Sequence, residues 1–361
     1  MFEGFRDRYL AFLRRGETDR PLIGCNAGSY ADQRFPRMME SLPVGKIGPE
    51  DVDVNLFLTE YADLLGNNGR TGDDYPLVMA PFVYVPWMEA IMGCPIISSP
   101  NSLWAEPCVD DWRSWDWDGR ALERPWAEKL IELMRGLVKL SDGRIPVAPT
   151  LMRGPSDIMA AMRGATRFST DTIDFPDEVR RIARICADVW IEVGKAQLDI
   201  ISECGDGYMA GDHGLRVWAP DKIVWLQEDA MALLSPELYR QFYLPEDRRI
   251  ARVFPYTAFH LHGSALWAVD DLVAVPEIDV LELNFEDATT DEEGTFGAWK
   301  KIQAHKPLVI WLPGDEYIET RIKRIIAELP KAGVSIQMTA ENIAEAKDTT
   351  AMALSLCAGR M

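Results

Sequence analysis

The sequence predicts an α/β protein: a single (β/α)8 TIM barrel spanning residues 1–361, with an N-terminal helix and a Trp-rich insertion capping the barrel. Three observations carry this. Apolar strand-like runs alternate with amphipathic segments along most of the chain, the pattern of a parallel sheet with helical crossovers. No G-x-G-x-x-G follows the first run, which argues against an open dinucleotide-binding sheet. No repeat, low-complexity tract or long polar linker divides the chain.

The opening "MFEGFRDRYLAFLRRG" sets apolar residues at helical spacing among charges and lacks a signal-peptide core, so it reads as an amphipathic helix. Strand-like runs then occur at 21–27, 76–82, 145–152, 206–213, 256–263, 279–285, 307–313 and 334–339. Between them, "FPDEVRRIARICADVWIEVGKAQLDIISECG" places acids early and apolar residues three to four apart, as a helix requires. "LSPELYRQFYLPEDRRIARVF" begins with Ser235, Pro236 and Glu237, a helix-start order, and "TAENIAEAKDTTAMALSLC" predicts a closing helix capped by Thr339. Residues 84–128 hold too many Trp and Pro for a simple crossover; they form the expected insertion, whose tryptophans are predicted to pack rather than stack on a ligand.

A net charge of −19 argues against nucleic acid, which needs a basic footprint. No run approaches the roughly 18 apolar residues of a membrane span. The six cysteines are scattered without a CxxC pair, so reduced thiols and a cytoplasmic setting are expected.

The chemistry concentrates in "FHLHGS" (259–264), which holds two of the four histidines. Side chains two apart on a strand point the same way, so His260 and His262 project together from a strand end. That geometry suits two imidazoles on one metal ion, and Gly263 lets the chain turn away. Asp212 and His213, and Glu282, Asn284 and Glu286, are candidate further ligands from neighbouring strand ends. The competing reading satisfies each imidazole with a buried carbonyl or carboxylate and pairs Asp212 or Glu286 with Arg153 or Arg216. There is no HExxH, GxSxG elbow or Walker loop.

Several stretches resemble the uroporphyrinogen decarboxylase superfamily, in its order: "RYLAFLRRGETDRPLIG", "APTLMRGPSDIMAAMRG", "DAMALLSPELYRQFYLPEDRRIARVF", "FHLHGSALWAVDDLVAVPEIDVLELNF" and "TAENIAEA". The resemblance implies a (β/α)8 barrel. True decarboxylases of this family hold carboxylates with two arginines and gather pyrrole N–H groups with an aspartate. Here the matching stretch is "CNAGSY", with Cys25 and Ser29 at the arginine positions and Tyr84 at the aspartate position, so the charge-assisted contacts are missing. Within that stretch Cys25, Asn26 and Tyr30 are candidates for cofactor contact, and Tyr84 for a catalytic role.

The family's other branch, similar to methylcobamide:coenzyme M methyltransferase, places zinc on a His-x-Cys matched here by His260-x-His262, with a cysteine near the last strand where this chain has Gln337. Exchanging thiolate for imidazole leaves a metal more inclined to oxygen ligands. The resemblance implies a methyltransferase or demethylase-type enzyme moving a methyl group to or from a corrinoid or folate carrier. His260 and His262 would hold zinc or another divalent metal, with Glu282, Glu286 or Asp212 completing the site. The expected partners are a small-molecule substrate, with a corrinoid protein and a second copy of the chain, as a homodimer, as further candidates. Two alternatives stand beside it: a cofactor-free decarboxylase (a lyase) with a histidine as proton donor and Arg153 neutralising a carboxylate, and a non-catalytic ligand-binding barrel.

Overall fold

A computed structural model describes residues 5–28, 35–67, 71–211, 215–285 and 291–359. Its centre is a parallel seven-stranded sheet. The chain order of strands is β1 (Leu22–Ala27), β2 (Gly45–Ile47), β3 (Ile96–Ser99), β4 (Ser102–Ala105), β5 (Met152–Arg153), β6 (Tyr208–Ala210), β7 (Val217–Ala219), β8 (Ile223–Gln227), β9 (Tyr256–Leu261), β10 (Val280–Asn284), β11 (Leu308–Leu312) and β12 (Val334–Ala340). The central sheet runs β1-β12-β11-β10-β9-β8-β5. Its strands are rich in Val, Ile and Leu and buried almost throughout, as expected of a parallel sheet covered on both faces.

Alternation assigns the two faces. Ile23, Phe259, Leu261, Leu281, Leu283 and Ile310 pack in one large cluster with the helices. Leu22, Ile223, Ala258, Val280 and Val309 point the other way, into a second cluster shared with Tyr9 and Phe12 of the opening helix, Phe5–Leu13. Further along the strands this second face turns polar, and there the histidines lie.

Several expectations are corrected. The run at 206–213 is not a strand of the central sheet; Tyr208–Ala210 folds back antiparallel on Val217–Ala219. Gly205 and Gly211, both at positive φ, bend the chain before and after the first strand of that hairpin. The sheet strand is instead Ile223–Gln227, wedged between β5 and β9. The run at 76–82, interrupted by Pro76 and Pro81, contributes one parallel bridge, Met79 with Val147, and 145–152 is regular only from Met152. Thr339 does not cap the last helix. It stays in β12 opposite Asn26, its hydroxyl accepting from Gly314 N, and Asn342 caps Ile343–Ala358 by accepting from Ala344 N and Glu345 N.

Other elements follow the sequence. Pro176–Leu198 is one long helix. Ser235 caps Pro236–Phe242 through Leu238 N, and a second helix, Leu244–Ala251, restarts with Pro245, which has no N–H to donate, in its first turn. Trp87, Trp112 and Trp126 of the 84–128 segment are buried in the main core, and Trp104 is exposed. No helix among the described residues is long and apolar enough to cross a membrane.

Candidate metal centre

Three consecutive sheet strands build the site. In register, Gln227 of β8 lies beside His260 of β9, and His260 beside Glu282 of β10. Asn284 stands two residues beyond Glu282 on the same face, and Asp229 two residues past Gln227, where a short 3-10 turn begins. His260 Nε2 is 3.1 Å from His262 Nε2, and Asp229 Oδ1 is 3.1 Å from His262 Nε2 and 4.0 Å from His260 Nε2. All three ligand atoms lie within 4.8 Å of one another. A tetrahedral ion with bonds of about 2.0–2.1 Å needs donors about 3.4 Å apart, so the residues fit a metal.

Each donor is held from behind. Glu282, fully buried, is hydrogen-bonded to His260 Nδ1, which directs Nε2 toward Asp229. The Asn284 side-chain amide lies 3.1 Å from His262 Nδ1, while its Oδ1 has no partner. A half-turn of that amide would let Oδ1 accept from Nδ1–H, the tautomer in which Nε2 exchanges its hydrogen bond to Asp229 for a ligand role. Asp229 is oriented through its backbone: Asp229 N and Ala230 N donate to the Asp157 carboxylate at 3.1 and 2.6 Å. Its Oδ2 accepts from the Gln227 amide. Burial works against charge on Asp229, but the hydrogen bond from His262, the two imidazoles and Gln227 outweigh it and hold its pKa at about 2.

Of the three donors His260 borders a cavity of about 240 Å³, walled by Val83, Pro149, Leu151, Leu215, Trp225 and Trp311, with Thr150, Gln227, Glu282, Asn284 and Thr339 as its other polar members. This is below the range of pockets that take drug-sized ligands, so it suits a small molecule.

The structure distributes the sequence candidates unevenly. His260 and His262 come together. Glu282 reaches the near nitrogen of His260 and serves as its partner, outside the three-donor group. Asp229 completes that group and was missed; its only sequence signal was its place just past a strand end, hidden while the strand itself went unrecognised. Arg153 is half-exposed and paired with Glu89 at 3.2 Å. Tyr84 is half-buried, edge-on to Phe82 at 5.5 Å. Cys25 sits on the helix-facing side of β1; burial pushes its thiol up to about 12, and it does not line the cavity. Asn26, opposite Thr339, is buried with its Nδ2 unpartnered. Tyr30, Asp212, His213 and Glu286, with Ser29, lie outside the described residues.

Behind the site Ser156 N donates to Glu228 Oε2 at 2.9 Å, and Tyr239 OH donates to Asp247 Oδ2 at 2.6 Å. Gly154 leaves room for this, since a Cβ there would lie 2.3 Å from Glu228 Oε1. Burial raises the Asp247 pKa to about 6 despite hydrogen bonds from Glu228 and Tyr239. An acid whose folded pKa lies above its unfolded value binds protons more tightly when folded, so this group's contribution is lost as pH rises from about 4 through about 6. Asp247→Asn is therefore expected to raise stability at pH 8 by up to about 3 kcal/mol and to flatten that part of the pH profile, measured by urea unfolding.

These features define a class: an α/β protein with a three-donor, metal-ready cluster at the carboxyl ends of adjacent parallel strands. Comparison with solved structures points the same way for the fold. A methyltransferase from Methanosarcina mazei aligns with TM-score 0.64 and 14% identity over 98% of each chain. The homocysteine methyltransferase MmuM from Escherichia coli, in metallated form, aligns with TM-score 0.43 and 12% identity over 93% of this chain and 96% of its own. No family model and no curated protein sequence matches. The chain thus shares its fold, end to end, with the Methanosarcina methyltransferase.

Proposed function

We propose that this protein is a metal-dependent methyl-transfer enzyme, moving a methyl group between a small substrate and a corrinoid or folate carrier. The carrying observation is the cluster of Asp229 Oδ1, His260 Nε2 and His262 Nε2, with separations of 3.1–4.0 Å. Two contacts support a closed (β/α)8 barrel over one domain: Asp74 N donates to Ile23 O of β1 at 2.8 Å, and Met79 bridges Val147 in the run that leads into β5.

Zinc is the ion we assign to this N/N/O set; when bound with an open position it lowers the pKa of a coordinated thiol or water and so readies a nucleophile. The chain's own residues prepare that chemistry. Glu282 stabilises the proton on His260 Nδ1, Asn284 turns His262, and Asp229 brings the negative charge that offsets the ion's. The apolar walls shield His260 from bulk water, whereas Asp229 and His262 stay about a third exposed and open to an incoming ion. Arg153, already neutralised by Glu89, gives the decarboxylase alternative little support.

The test is elemental analysis of protein reconstituted with zinc, beside turnover of methylcobalamin or methyltetrahydrofolate with simple thiols. Stoichiometric zinc and metal-dependent turnover are expected; protein that retains no zinc refutes the reading. Glu282→Gln is expected to weaken zinc binding about 10–100-fold, read by chelator competition, because only the partner of a ligand changes.

A further inference from the structure

Cys94 and Cys108 lie with their sulfurs 3.4 Å apart, both as free thiols. The backbone places them there. The β3–β4 hairpin pairs Ile96 with Ala105, and Glu106 N donates to Pro95 O at 2.9 Å, extending the antiparallel ladder to its base. One step further the chain reaches Cys94 on one side, with Cys108 diagonal to it. Both ends are anchored: Cys94 N donates to Glu89 O at 3.0 Å, and Cys108 N and Val109 N both donate to Met162 O at 2.9 Å.

The two thiols differ in the way a reactive pair needs. Cys108 is exposed, while Cys94 is buried and borders a cavity of about 470 Å³ beside Trp115, Trp117 and Trp126. One hydrogen bond joins the two sulfurs, and burial of Cys94 favours its proton there, which pulls the Cys108 pKa down and pushes that of Cys94 up. Cys108 thus has the greater thiolate character, and Cys94 keeps its proton until called on.

We propose that Cys94 and Cys108 form a thiol–disulfide exchange site for small disulfides. The Cys108 thiolate attacks one sulfur of the small disulfide, forming a mixed disulfide and expelling one small thiolate. Cys94 then loses its proton and attacks the Cys108 sulfur, forming the Cys94–Cys108 bond and expelling the second small thiolate. The protein pair is oxidised by two electrons and the small disulfide is reduced to two thiols. The site stands on its own geometry and does not depend on the methyl-transfer reading. Its closure staples the base of the hairpin between the helix Trp87–Ile91, whose Glu89 pairs with Arg153, and the helix Pro155–Arg163, whose Asp157 holds the Asp229 turn.

The experiment exposes reduced, zinc-reconstituted protein to oxidised glutathione and alkylates the remaining thiols. Chymotrypsin, cutting after Trp104, then separates the two cysteines unless they are joined. A linked pair of peptides, two hydrogens lighter than their sum, together with a higher unfolding temperature, is expected in the wild type. Cys94→Ser should stop at a stable glutathione adduct on Cys108, and Cys108→Ser should give neither product. A wild type that halts at the glutathione adduct with Cys94 still alkylatable overturns the proposal. So does one in which both thiols remain free.

Discussion

Asp229→Ala is expected to weaken zinc binding at least about 100-fold and to take the proposed methyl transfer to background while the protein stays folded. The lower bound follows because losing a direct donor costs more than losing a ligand's hydrogen-bond partner, itself worth about 10–100-fold. Folding survives because the Asp229 side chain is 36% exposed, its backbone turn is held by Asp157, and its removal leaves Gln227 near the cavity. The corresponding His260→Ala is a less informative test. It strands the fully buried Glu282 carboxylate without its imidazole and so mixes a folding penalty with loss of metal. Elemental analysis, circular dichroism and turnover on the same Asp229→Ala sample separate the effects. Full zinc occupancy in that variant removes Asp229 from the ligand set.

The second large effect concerns a buried ion pair next in the chain to Leu215, which lines the cavity. Arg216, almost fully buried, donates to Asp73 Oδ2 at 2.7 Å and to Pro76 O at 3.1 Å. Asp73 Oδ2 also accepts from Cys25 N of β1 at 3.0 Å. Gln337 of β12 grips the backbone of Arg216 from both sides, accepting from its N–H at 2.8 Å and donating to its carbonyl at 2.6 Å. Gly24 permits this crowding: a Cβ there would lie 3.1 Å from Arg216 Nη2 and 3.0 Å from the Tyr75 ring. Asp73→Ala leaves a desolvated guanidinium without its counter-charge and is expected to cost about 3–5 kcal/mol in urea unfolding. Pairing it with Arg216→Met should recover much of that loss, since the isolated charge, rather than the absent bond, is the expensive part. Equal losses in the single and double variants would contradict this account.

The histidine pair was legible because a two-residue spacing on a strand fixes a common direction whatever the surroundings. Its third donor was not. "DGYMAGDH" and "KIVWLQ" compete for the same place in the sheet, and only the glycine bends at 205 and 211 and the pairing with β9 decide between them. With the strand misplaced, Asp229 read as a loop acid. Glu282 illustrates a different limit. Register sets it directly beside His260, so its carboxylate meets the near nitrogen of the ring, whereas the ion calls for the far one. Composition identifies a carboxylate within reach, but only the stagger of neighbouring strands says which end of an imidazole it touches. Parity sets Cys25 apart: Gly24 and Asn26 share the inward side of β1 and the thiol takes the other.

The donors and the side chains that touch them, Gln227, Glu282 and Asn284, come from β8, β9, β10 and the turns after β8 and β9, whereas Val83, Thr150, Trp311 and Thr339 line the hollow beside His260 from distant parts of the chain. Reactivity and selectivity are thereby encoded in separable stretches. Exchanging the far walls can retune which molecule enters without disturbing the ion's grip, a division of labour that lets one scaffold diversify its substrates by piecemeal substitution.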